Sequence, residues 1–480
     1  MVWDVVVVGG ELCGLAAAAL LALARRRVVV IEDGDDGCAH RLGDRNAPVA
    51  PTLWRLPATG AAVGVLDALG LKNDARRVLG ESGGLGIIDD PDLRILVSPS
   101  EDGRLRELVR AFGDVDGTQQ AQALGALRAD RRNAVLQELA CLHEDGWLLE
   151  SRRAGARVRA YGALADVDGD DDDVKRLGNA GLFVAGRQLA PFVQWRGDGH
   201  ATGLAGFIAA THLQTGVPVA TRGGLGVRPA LRALLLDVLR QHGGEFLSDR
   251  VQSLRVEGKR CTLLQTAGRQ EIQGRAIVDA TVARDLVTRA AASPLTDRWR
   301  AAQDHVEAVA DGVSVRWLLP ARVLPRGLAP MSLVLREPPA RPMLVGVYAG
   351  AALVEARGSV LDEAKVCVVA STHCGGASTQ AAAAAVEDQL DSLLPFARGQ
   401  VAAKDELSGA GVASALCGFV VRQAEHPLFG RRPRLPLDNI FRAGRDLAPA
   451  FGVDGELVAA RSVASLVEKI TSGSGGARAS

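Results

Sequence analysis

Net charge is the first thing this chain lacks: 56 Lys and Arg stand against 56 Asp and Glu in 480 residues. That balance argues against the strongly basic surface that nucleic acid or an anionic membrane demands. Lysine is scarce while arginine and alanine are abundant, a bias that carries no functional meaning here. No charge-free apolar stretch reaches about 18 residues, so no transmembrane helix is expected. The Ala/Leu run 15–24 is too short to span a bilayer and reads as a buried helix. No basic segment precedes the first apolar run, so no signal peptide is expected. The seven cysteines (13, 38, 141, 261, 367, 374 and 417) form no C-x-x-C pair, and their odd number and wide spacing predict reduced thiols in a cytoplasmic protein. His40, His143, His200 and His242 have no ligand spacing, so no metal site is expected. The acidic run 166–173 lacks the glycine and glutamate of a calcium loop and reads as a solvated loop. No H-E-x-x-H or Walker loop occurs, and no internal repeat.

What the chain does have stands at its start. Asp4-Val5-Val6-Val7-Val8 leads into Gly9-Gly10-Glu11-Leu12-Cys13-Gly14, then the Ala/Leu run, then Val28-Val29-Val30-Ile31-Glu32. The order is strand, tight turn, helix, strand, with an acid closing the second strand. That is the layout of a dinucleotide fold, where G-x-G-x-x-G opens the helix and an acid some 20 residues on takes the ribose hydroxyls. Gly9, Gly14 and Glu32 fit. The middle glycine, which lets the backbone approach a pyrophosphate, falls on Glu11.

Farther along, residues 34–60 are polar and read as loop, 61–71 as a short helix, 93–97 as a strand, and 101–160 as helix-rich. A second block opens at Arg222-Gly223-Gly224-Leu225-Gly226-Val227-Arg228, followed by a helix at 230–240 that His242-Gly243-Gly244 closes. Strand-like pieces follow at 252–256, 261–266, 271–272 and 275–279. Residues 305–370 are β-rich with prolines at the breaks, and a helix lies near 378–394. Arg222 and Arg228, which bracket the glycine turn, are expected at the surface. Asp279 is expected to cap a helix. Thr372-His373-Cys374 and Trp195 are expected to be structural. The last block carries Gly444, Arg445, Asp446, Pro449, Gly452 and Gly455 into a helix at 458–470.

These three blocks together resemble the flavin-dependent amine-oxidase superfamily, most of all its phytoene-desaturase and carotenoid-isomerase branch. The resemblance implies an α/β protein. It has a Rossmann-like FAD/NAD(P)-binding domain assembled from residues 1–100, 215–295 and 435–471, and a second, discontinuous α+β substrate or cap domain from 101–214 and 296–434. Residues 472–480 are expected to be a disordered tail. The positions it places around FAD are Gly9, Gly10, Glu11, Gly14, Glu32, Val251, Gly444, Arg445, Asp446, Gly452 and Gly455, with Val251 against the adenine. No catalytic residue is assigned. The chain departs from the pattern four times, one of them Ala450 for the glycine after the proline. Glu11 stands for the pyrophosphate glycine, Arg445 for the aspartate of the C-terminal motif, and 37–41 for a Gly-Gly-Arg element.

A carboxylate at the helix start can take the helix N–H groups for itself and repel a phosphate, at about 4 kcal/mol per like-charge pair at ~4 Å near a protein surface. The opposite change at Arg445 suggests a direct Glu11–Arg445 ion pair sealing the flavin site. On that reading FAD binding is degenerate, and the protein is a non-catalytic or weakly flavin-binding scaffold or carrier for a lipophilic molecule or a protein partner. The alternative is an active FAD-dependent desaturase or isomerase of a polyene or similar lipid, with Arg445 holding a phosphate that Glu11 repels.

Overall fold

The computed structural model describes residues 2–32, 39–54, 56, 61–79, 82–90, 93–126, 189, 192, 196–197, 217–218, 226–281, 285–303, 306–308, 311–325, 327–335, 341–349, 365–374, 376–409, 412, 415–416, 419–421, 433–448 and 451–473. The acidic run 166–173, Trp195, Arg222 and Pro449 fall outside them, as do Gly37 and Cys38.

The N-terminal sheet follows from two valine-rich runs. β1 (Val2–Val8) and β2 (Val28–Glu32) are β-branched throughout their cores, and α1 (Leu12–Leu23) between them is built of the strong helix formers Ala and Leu. The next elements come from the middle of the chain: α2 (Val227–Gln241), β3 (Glu245–Ser248), β4 (Val251–Glu257), β5 (Arg260–Thr266) and β6 (Glu271–Asp279). The C-terminal block adds β7 (Ile440–Arg442) and α3 (Gly452–Gly473). The strands lie in the order β3-β2-β1-β6-β5-β4. β3, β2, β1 and β6 are mutually parallel, while β5 pairs antiparallel with β6 and β4 antiparallel with β5. The far edge of β6 is shared. Glu271 and Ile272 pair with β5, and residues 277–279 pair in parallel with β7.

Both faces of the parallel part are covered, as parallel sheets require. Val5, Val7, Val28, Val30 and Val278 point to one face, against α1, α2 and α3. Val6, Val8, Val29, Ile31 and Ile277 point to the other, against Val251, Leu254 and Trp299. α1 is apolar on every side, with Ala16 to Ala19 fully buried, and these small side chains let it lie close beneath the sheet.

The second sheet has the strand order Ala403–Gly409, Gly312–Pro320, Lys365–His373, Met343–Ala349, Met331–Val334, Leu85–Asp90 and Leu93–Val97. The last two join this sheet although they fall within 1–100. The helix Thr379–Leu393, capped by the Ser378 hydroxyl accepting from the Ala381 amide at 3.2 Å, covers one face of the sheet.

Several local expectations are corrected. Within 34–60 the strands Ala39–Leu42 and Arg45–Pro48 form a hairpin, because buried Arg316 donates to the carbonyls of His40 and Ala47, both at 3.2 Å, and ties the pair to the second sheet. The pieces at 271–272 and 275–279 are one strand, Glu271–Asp279, whose start pairs with β5 and whose residues from Gln273 on pair with β1. α3 begins at Gly452, not 458, and runs through Ser472 to Gly473; the rest of the expected tail, 474–480, lies outside the described residues.

Candidate functional site

The site forms where β1 and β2 end and α1 begins, with the starts of α2 and α3 alongside. Gly9 leaves β1 with φ +102°, and a Cβ there would lie 2.5 Å from the Ala280 carbonyl oxygen. A Cβ on Gly14 would lie 2.5 Å from the Cβ of Ala280 and 2.8 Å from the Gly9 oxygen. Both glycines are thus demanded by the packing of the turn against the residue that follows β6. Position 11 is different. Glu11 is the N-cap of α1 in an extended conformation (φ −60°, ψ 157°) that any residue adopts, and its side chain makes no capping hydrogen bond.

The Glu11 carboxylate turns to Arg228 instead, at 3.3 Å. Arg228, the second residue of α2, is 6% exposed at its side chain, against the surface position expected for it. Its other partner is Glu456 of α3, which is 1% exposed. Glu456 Oε1 also accepts from Arg445 Nε at 2.6 Å. The expected direct Glu11–Arg445 pair is therefore replaced by a four-membered chain, Glu11–Arg228–Glu456–Arg445, whose members alternate in sign. Burial by itself would push the Glu456 carboxyl up, but the guanidiniums of Arg228 and Arg445 outweigh it and hold the group below the usual glutamate range.

That direction fixes a pH dependence. A carboxyl whose folded value is depressed contributes stability above its unfolded value and loses it as pH falls through the folded one. Acid unfolding below about pH 4.5 is expected to carry this contribution. Replacing Glu456 with glutamine should flatten that limb of a stability-against-pH curve measured by urea denaturation, and an unchanged slope counts against the pairing.

A second buried group lies beside the first. Arg442 at the end of β7 donates from Nε to both oxygens of Asp446 at 3.1 Å, and from Nη1 to Asp279 Oδ1 at 3.3 Å and the Thr281 carbonyl at 2.7 Å. Burial works against the Arg442 charge, but Asp446 and Asp279 outweigh it and raise its affinity for the proton. Asp279 therefore serves this triad as well as accepting from the Thr281 amide and hydroxyl at 3.1 and 2.6 Å. Asp446 is turned inward, and Gly444 leaves room for it, since a Cβ there would meet its carboxylate. Cys13 lies within reach of both groups. Burial, reinforced by Glu456 and Asp446, keeps its thiol protonated.

On the ribose side, Glu32 pairs with Arg232 of α2, and the Glu32 carboxylate rests where a Gly10 side chain would project. The Arg232 guanidinium also lies 5.5 Å from the centre of the Phe246 ring. Val251 opens β4, three residues past Ser248, the register partner of Glu32. Val251 is buried, and its carbonyl accepts from Arg289 at 2.5 Å. Gly452 starts α3 with φ +54°, and Gly455 sits against Ala448, where a Cβ would lie 3.0 Å from the alanine methyl.

The structure thus brings Gly9, Gly10, Glu11, Gly14, Glu32, Gly444, Arg445 and Asp446 to one end of the parallel strands, with Val251 beyond Glu32. Sequence reasoning missed Arg232, Arg442 and Glu456. A signal existed for the first: Arg228 and Arg232 are four apart and share a helix face. Elsewhere, burial and then Asp311 push the Cys374 thiol up, and His373 stacks obliquely on Phe192 at 5.5 Å. Among the described residues no group of His, Cys, Asp and Glu could hold a metal, and no helix is long and apolar enough to cross a membrane.

A helix N-terminus attracts phosphate through its free N–H groups and dipole. Here the N-cap bears a carboxylate, and a buried carboxylate already engages the two guanidiniums nearest to it.

No protein-family profile matches the chain. One curated relative, polyketide synthase GfsE of Streptomyces halstedii, is 35% identical over 159 residues, but the match takes in 32% of this chain and only 4% of that protein. Solved structures match along nearly the whole length. A redesigned putrescine oxidase is 18% identical, with 98% of this chain and 99% of that one covered, at a TM-score of 0.56. Cyclohexylamine oxidase from Brevibacterium oxydans is 15% identical, with coverages of 97% and 99% and a TM-score of 0.55. A Rab GDI from Plasmodium falciparum is 9% identical, with coverages of 96% and 97% and a TM-score of 0.53. The chain therefore has the fold of the FAD-binding oxidoreductases such as putrescine oxidase and cyclohexylamine oxidase.

Proposed function

We propose that this chain keeps the flavin-oxidoreductase fold without the flavin chemistry. On this reading it is a non-catalytic or weakly flavin-binding scaffold or carrier. The observation that carries it is the single carboxylate of Glu456 shared by Arg228 and Arg445, with Glu11 closing the chain at the helix start. Four alternating charges satisfy one another where a diphosphate would need positive charge. The ribose acid Glu32 is likewise engaged by Arg232. The fold does not demand an oxidase, since a Rab GDI shares it, and fold alone never fixes function. The ligand in this reading is a lipophilic molecule or a protein partner, held by the segments 101–214 and 296–434, in a cytoplasmic protein.

The second reading is an active FAD-dependent desaturase or isomerase of the phytoene-desaturase kind. Gly9, Gly14 and Glu32, all present, favour it. The glycines, however, are required by contact with Ala280 whether or not a cofactor binds.

The purified protein is expected to be colourless near 450 nm, as a flavin-free protein is, and to show no thermal shift with added FAD. A ligand at a hundred times its Kd would stabilise it by about 2.7 kcal/mol, so binding could not escape notice. A yellow protein with stoichiometric flavin would falsify the proposal and leave the oxidoreductase reading standing.

A further inference from the structure

We infer that Glu456 is the residue that excludes phosphate from this crevice, acting as an internal stand-in for the anion. The inference rests on the proposed function and sharpens it, since sequence points to Glu11 and Arg445 as the decisive changes. Geometry points elsewhere. Glu11 holds one end of the chain, is 27% exposed, and touches one guanidinium. Glu456 is 1% exposed and touches two, from two different elements, with Arg445 on Oε1 at 2.6 Å and Arg228 on the same oxygen. A carboxylate gripped by two buried guanidiniums presents the negative charge and acceptor oxygens that a phosphate group would present in its place. A phosphate entering while Glu456 is ionised would meet its charge in a buried setting, where repulsion is screened least. The position is also fixed. Glu456 is in the second turn of α3, just after Gly455, which packs so closely on Ala448 that a Cβ there would overlap the Ala448 oxygen. Reverting Glu11 alone leaves this competitor seated. Changing Arg445 to aspartate sets a second carboxylate beside it.

The test uses the full-length chain and inorganic pyrophosphate as probe, followed by calorimetric titration. Three proteins are compared: the unaltered chain, Glu456→Gln, and Glu468→Gln as a control on an exposed carboxylate of the same helix. Glu456→Gln is expected to bind pyrophosphate at least about tenfold more tightly than the unaltered chain, the equivalent of about 1.4 kcal/mol. Glu468→Gln should match the unaltered chain. If Glu456→Gln is unfolded in plain buffer, added pyrophosphate is expected to restore its native far-ultraviolet circular dichroism, because a ligand of the folded state draws the equilibrium toward it. A folded variant without the gain, an unfolded one that pyrophosphate does not rescue, or an equal gain in Glu468→Gln overturns the inference. Those failures differ from failure of the proposed function. Flavin bound to the unaltered chain defeats both, whereas a colourless chain with an unresponsive variant defeats only the role of Glu456.

Discussion

Replacing Arg442 with methionine lowers the unfolding free energy by about 3–5 kcal/mol, the loss typical when one member of a buried ionic group is removed. Arg442, Asp446 and Asp279 are all buried, and the two aspartates are fully so. The guanidinium gives both carboxylates their counter-charge and also satisfies the Thr281 carbonyl at 2.7 Å. With methionine in place the stem still fills its space, but two carboxylates are left facing each other in the interior. They can relieve this only by taking up protons or admitting water. Urea denaturation followed by circular dichroism measures the loss, and a change below about 1 kcal/mol would mean that the triad is not the tie it looks to be. Neutralising the whole group, with Arg442→Met, Asp446→Leu and Asp279→Asn together, should recover much of the loss, because a buried ionic group and a packed apolar one of similar volume often differ little.

The second large effect is expected at Gly9. Alanine there must hold φ near +102° with its Cβ 2.5 Å from the Ala280 oxygen. Backbone strain costs about 1–3 kcal/mol and overpacking a similar amount, so Gly9→Ala should destabilise the protein by roughly 2–6 kcal/mol. Glu11→Gly, two residues on, should change stability by no more than about 1 kcal/mol, since it removes a partly exposed pair from an unstrained position. The contrast, read from two denaturation curves, separates the glycines of the fingerprint by what they serve. If Gly9→Ala is as mild as Glu11→Gly, the turn has room that its geometry denies.

This split explains what could be read from the sequence. The outer glycines are imposed by the meeting of β1, α1 and β6, so the first β-α-β unit was legible from Gly9, Gly14 and the valine runs alone. That distant stretches join one sheet was an expectation of the family resemblance alone, since the last block shows a helix signal but no strand signal for β7. The ion pairs were not. Glu11 and Arg445 stood out only because a glycine and an aspartate were expected there, and joining them directly was the simplest inference. Glu456 and Arg442 occupy positions at which no residue type was anticipated, and a charge on an amphipathic helix is ordinarily solvated. Nothing in a linear sequence marks it as buried until the helices are packed. Arg228 was misread as a surface residue for that reason. The hairpin at 39–48 was missed because what holds it, Arg316, lies some 270 residues away along the chain.

The indole of Trp54 donates to the Asp454 carboxylate at 2.8 Å, and both are buried. Asp454 lies in the first turn of α3, two residues before Glu456. The protein therefore carries a native optical gauge at its crevice. Emission from Trp54 should redden and its indole N–H exchange with solvent whenever the start of α3 loosens, so the opening of this region can be timed without attaching a probe. With only six tryptophans in the chain, a single Trp54→Phe comparison isolates that signal.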